Sequence, residues 1–155
     1  MRDNRFVSLH RGGTLEKEQH YELMRWACDC TSHVIHLCNG KIDDRIEFAL
    51  RVAGLWLKGS ASVGDARKAS AGAIAAANGT TDAVKIAISR SAGHAVATAH
   101  MADHSLGAAI YALKAVKNSG LSTETERKWQ NEQLTPKITE LILTSRTGKE
   151  KALKI

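Results

Sequence analysis

Proline occurs once in this chain, at Pro136. Proline lacks a backbone N–H and its ring clashes with the turn before it, so its scarcity leaves long stretches free to be helical. The apolar residues use that freedom. Met24, Cys28, Thr31, Ile35 and Cys38 recur at alternating steps of four and three, the stripe of an amphipathic helix. No run of alternating polarity marks a strand, and β-branched residues sit at helical spacing. The expected class is all-α: a single bundle of six or seven helices joined by short turns.

Capping residues divide the chain. Thr14 can cap a first helix with Glu16 in its opening turn, and Asn39-Gly40 supplies a left-handed stop. Asp44 with Glu47, and Ser62 with Asp65, have the spacing of capping boxes for a second and a third helix. The second is apolar on nearly all sides through Phe48, Leu50, Val52, Leu55 and Trp56, which predicts a central position. The third is rich in alanine and ends at Asn78-Gly79, and Thr81 opens a long helical stretch lasting to Asn118-Ser119-Gly120. At about 1.5 Å per residue that stretch would exceed ~50 Å, so a break is expected near Gly93 or between His100 and Gly107. Thr123 with Glu126 starts a further helix, and Thr135-Pro136 starts the last. Residues 1–13 read as a flexible segment, 14–145 as the helical domain and 146–155 as a solvated basic tail carrying Arg146, Lys149, Lys151 and Lys154.

No apolar run reaches the ~20 residues of a membrane span, and MRDNRFVSLHRGG is no signal-peptide core, so a cytoplasmic protein is expected. The three cysteines, Cys28, Cys30 and Cys38, are odd in number and crowd one segment, which is no disulfide framework. Cys28 and Cys38 fall on the apolar stripe; Cys30 falls off it and is expected to be exposed. The net charge of +6 intermixes both signs except in the tail, so nucleic acid is disfavoured as a partner.

The segment Gly93–Ala115 sets His94, His100 and His104 among alanines. Histidines four apart on one helical face can hold Zn²⁺, which makes His100 and His104 the weak metal alternative. The run His-Met-Ala-Asp-His lacks the glutamate that a zinc protease uses as general base. A rise of about 15 Å separates His94 from His104 on a continuous helix, so a third ligand would have to come from elsewhere, such as His33 or His36. The favoured alternative is a set of buried imidazoles satisfied by neighbouring helices, with Asp44, Arg45, Arg67 and Thr98 as partners. Of the three tryptophans, Trp26, Trp56 and Trp129, the second reads as core. No phosphate loop, dinucleotide fingerprint or serine-hydrolase elbow is present. No cofactor is expected.

The order Asp44-Arg45, Trp56 with Gly59, Ala66-Arg67 with Ala69, Gly93-His94-Ala95, Thr98-Ala99-His100, His104 and Ala108–Ala112 around Tyr111 resembles the immunity proteins of bacterial polymorphic-toxin systems. The resemblance runs from about the first helix to Trp129, with Ile46 where many relatives carry proline. It implies a non-catalytic protein that binds and neutralises a cognate toxin. Asp44, Arg45, Trp56, Arg67, His94, His100, His104 and Tyr111 are then a partner surface or a polar core, and no catalytic residue carries over. A homodimer stays open. The competing readings are a metal-dependent or histidine-based enzyme centred on His100 and His104, and a small nucleic-acid binder using the C-terminal lysines. A basic chain is a poor mimic of nucleic acid, which disfavours inhibition of a nuclease by substrate imitation.

Overall fold

Seven α-helices account for the architecture of the computed structural model, which describes residues 2–155: α1 Lys17–Val34, α2 Asp44–Leu57, α3 Val63–Asn78, α4 Ala83–Ala97, α5 His104–Asn118, α6 Thr123–Glu132 and α7 Pro136–Ala152. Among those residues there is no strand, only one isolated parallel bridge between Ser8 and Leu15. The all-α expectation is met. Among the described residues no helix is long and apolar enough to cross a membrane.

Small residues decide which helices lie at the centre. α3 turns Ala66, Ala69, Ala73, Ala76 and Ala77 inward, and most of α4 and α5 is buried. A Cβ at Gly93 would sit 2.8 Å from the Ile74 side chain and 3.4 Å from the Ser70 carbonyl, so α3 and α4 approach closely because that position carries none. The Ser70 hydroxyl donates to the Gly93 carbonyl at 2.9 Å, closing the contact. Three helices meet at a buried hydroxyl relay. Thr31 on α1 lies 2.8 Å from Ser91 on α4, which donates to the Ala108 carbonyl on α5 at 2.7 Å. Such groups must be paired, since a buried orphan costs about 1–3 kcal/mol.

The central role expected of α2 belongs instead to α4 and α5. Only Ile46, Ala49, Val52 and Ala53 of α2 are buried, while Phe48 and Leu55 face outward. An all-round apolar composition failed as a guide because alanine-rich helices pack more tightly and took the interior.

Helix starts differ from expectation where a better acceptor stood one or two residues away. Glu16, not Thr14, caps α1 in a reciprocal box with Gln19. Asp43, not Asp44, caps α2 by accepting from the Arg45 amide. Asp82 and Ser122 cap α4 and α6. The Ser62–Asp65 box on α3 and the Thr135-Pro136 start of α7 stand as read. The long helical stretch breaks at residues 98–103, overlapping the second of the two expected places.

Both chain ends pack more closely than their composition suggests. Phe6 is buried in the core, and Gly12 turns the chain at φ 87°. A side chain on Gly13 would overlap the Val7 backbone, so the Gly12-Gly13 pair makes a tight fold-back in the segment read as flexible. α7 passes the boundary read at residue 145. Arg146, assigned to a solvated tail, is 4% exposed and bonds Gln130 Oε1 at 2.8 Å and Asn131 Oδ1 at 2.5 Å. Glu150, also buried, accepts from Arg127 at 2.8 Å. Gln130 continues the network by donating to the Ala109 carbonyl, and its own carbonyl accepts from Trp26 Nε1 at 2.9 Å.

Candidate functional site

The break between α4 and α5 folds one helix back on the other and overturns the linear reading of the histidines. His94 lies in the last turn of α4 and His104 opens α5. Their Nδ1 atoms are 2.8 Å apart, although a continuous helix would have separated them by about 15 Å. His100 belongs to the connection, so His100 and His104 do not share a helical face. Their ring centroids lie 5.2 Å apart at 48°. Among the described residues no group of three or more histidine, cysteine or acidic side chains is arranged to hold a metal ion. His33 is elsewhere, stacked 3.5 Å from Trp129 and bonded to Glu126 at 2.7 Å. His36 is exposed.

Burial, reinforced by the neighbouring His104, holds His94 down to about 4, and burial lowers His104 as well. Both rings are therefore neutral near pH 7. Two neutral imidazoles can share an Nδ1–Nδ1 bond only if one carries its proton on Nδ1 and the other on Nε2. The pair is thus a set of opposite tautomers. Gly107 makes room for it, because a Cβ there would stand 2.6 Å from His94 Nδ1. Tyr111 stacks on the other side of His94 at 5.2 Å and 16°, with Lys114 and Arg90 over its ring.

The proposed partners of these rings separate. Asp44 and Arg45 are exposed, pairing with Lys41 and Asp43, and line a depression of about 640 Å³ between the start of α2, the end of α3 and the start of α4. Thr98 does meet a histidine, through its carbonyl. His20 Nε2 lies 2.6 Å from that oxygen and must donate, which leaves its Nδ1 as an acceptor in the neutral ring that burial favours. Trp56, expected in the core, is half-buried, with Tyr21 edge-on at 5.2 Å and His20 at 5.1 Å.

Trp56, Arg67 and His100 converge on a second feature, a cleft of about 850 Å³. The N-terminal segment forms one wall with Leu9, His10 and Arg11, and the start of α1 adds Lys17, His20 and Tyr21. The end of α2, the start of α3 and the α4–α5 connection complete it. His100 Nδ1 is enclosed there with no hydrogen-bond partner among the described residues. Its basicity is lowered by burial first and then by Arg67 from α3 and by Arg2 and Arg11 from the N-terminal segment, while the nearby Asp103 acts the other way. Sequence reading singled out Trp56, Arg67 and His100 but missed Arg11, Lys17, His20 and Tyr21. The available signal was the i, i+3, i+4 spacing of Lys17, His20 and Tyr21, which puts them on one face of α1; the approach of Arg11 depends on the fold-back of the N-terminal segment.

The cysteines correct another expectation. Cys30 is fully buried and its thiol is pushed well up, while Cys28 is raised to about 12, in both cases chiefly by burial. Neither offers a thiolate nucleophile.

No curated protein and no solved structure matches the chain. A family model does, across residues 13–137, a span that includes every histidine of both clusters except His10. The chain belongs to the family described as Imm-5 like putative immunity protein.

Proposed function

We propose that this protein binds a cognate toxin and neutralises it without turnover, acting in the cytoplasm of the cell that makes the toxin. The family membership over residues 13–137 carries the reading. The geometry agrees with it. The interior imidazoles are occupied with each other, and the two deep thiols are held protonated. The surface-facing chemistry is that of recognition: fixed cations and half-buried aromatic rings on a bundle of short connections. Tryptophan, tyrosine and arginine are the residue types that most often anchor protein interfaces.

The test is expression of the toxin domain encoded beside this chain's reading frame, with and without the protein. Restored growth together with a complex in which the toxin is inactive is the expected result. Unprotected growth with no complex overturns the proposal.

A further inference from the structure

We propose that the cleft beside Trp56 seats an acidic segment of the protein partner, so that this end of the bundle is the toxin-contacting surface; the inference rests on the immunity reading above. No carboxylate lines the cleft, yet Arg2, Arg11, Lys17 and Arg67 all do. Arg11, Lys17 and Arg67 form no ion pair among the described residues, and Arg2 reaches only Asp103, at 3.7 Å. Elsewhere Arg5, Arg25, Arg45, Arg127 and Arg146 each hold a carboxylate, and Arg51 and Arg90 lie over the rings of Phe48 and Tyr111.

Four like charges around a concavity repel one another and raise the free energy of the unoccupied fold. They also focus a positive potential into the cleft, which draws in and orients an anionic partner. Cations gathered around a concavity that no carboxylate lines, with Arg67 left without a side-chain partner among the described residues, point to an external anion.

The lining chooses the kind of anion. Leu9 and Val63 are 61% and 43% exposed at the edge of the cleft, and Trp56 and Tyr21 stand half-buried within it. A small phosphate ligand has no use for exposed aliphatic side chains around its cations. A protein segment alternating carboxylates with apolar residues uses both, the apolar groups against Leu9, Val63 and Trp56 and the carboxylates against the guanidinium groups.

The experiment measures binding of the neighbouring toxin domain to wild-type protein, to Arg11→Glu/Arg67→Glu and to the control Lys149→Glu/Lys151→Glu. Arg11, Arg67 and both control lysines are exposed, and circular dichroism with thermal melting checks that every variant folds. Expected are a Kd at least tenfold weaker for the cleft variant, a change within about twofold for the control, and a wild-type association rate that falls as sodium chloride rises. An acidic-to-lysine change in the toxin that restores binding to the cleft variant completes the support. Equal binding by wild type and cleft variant, with toxin still neutralised, overturns this inference alone. Absence of binding by wild type overturns the immunity reading and this inference together. ATP and pyrophosphate are titrated in parallel: Arg67-dependent binding of either that leaves toxin affinity unchanged assigns the cleft to a small phosphate ligand and overturns the proposal.

Discussion

His94 and His104 face each other through their Nδ1 atoms at 2.8 Å, on two helices that the chain folds back to back. Protonating both rings would place two donors nose to nose in a half-buried space, so the contact lasts only while at least one of them is neutral.

Acid should therefore loosen the fold in a defined window. The folded value of His94 is depressed to about 4 from an unfolded value near 6.5, so between those limits the unfolded chain binds more protons. Stability from this group is complete above pH ~6.5, declines as pH falls through the window, and has no further slope below about 4. Urea midpoints measured across that range should rise with pH. His94→Asn should flatten the dependence, and an unchanged slope would refute it.

Gly107→Ala should destabilise by about 1–3 kcal/mol, the ordinary cost of overpacking, although glycine to alanine in an open helix is favourable. The new methyl meets the root of the His94 ring, which cannot swing aside without breaking its bond to His104. In a His94→Ala background the same change should become neutral or stabilising. Additive effects in this double-mutant cycle would count against the contact.

Arg146→Ala should cost about 3 kcal/mol in denaturant unfolding, because it leaves Gln130, Asn131 and Glu150 short of a buried donor. Lys151→Ala, five residues further along the same helix on an exposed position, should fall within ~0.5 kcal/mol of wild type. Equal effects would return Arg146 to a solvated tail.

Thiol labelling of the native protein should mark Cys38 first. Cys30 should react only after unfolding because it is fully buried, and Cys28 should lag behind Cys38 because burial holds its thiol in the protonated form. Rapid modification of Cys30 would contradict its position on the buried face of α1.

What the sequence revealed followed from periodicity and punctuation. The seven helices, the Ser62–Asp65 box, the Thr135-Pro136 start and the Asn118–Gly120 stop are local features, set within a turn or two of the chain. Long-range relationships were hidden. The distance between His94 and His104 depends on a helix reversal at residues 98–103 that contains neither proline nor glycine. The order of burial was hidden too: α2 carries large apolar side chains on nearly every side, yet Phe48 and Leu55 face outward while the small residues of α4 and α5 let those helices fill the interior. Arg146 looked solvated because Gln130 and Asn131 are not its neighbours until α6 lies against α7. The cleft escaped for the same reason: its cations come from the N-terminal segment, α1 and α3, which share no sequence motif.

The fold-back of the first dozen residues has a consequence for how such a protein can diversify. The family model begins at residue 13, whereas Arg2, Leu9, His10 and Arg11 precede it and form one side of the cleft. That side is joined to the helices by a glycine pair and anchored by the ring of Phe6. A change of side chains along that hook alone would reshape one side of the cleft while the helices underneath stay as they are.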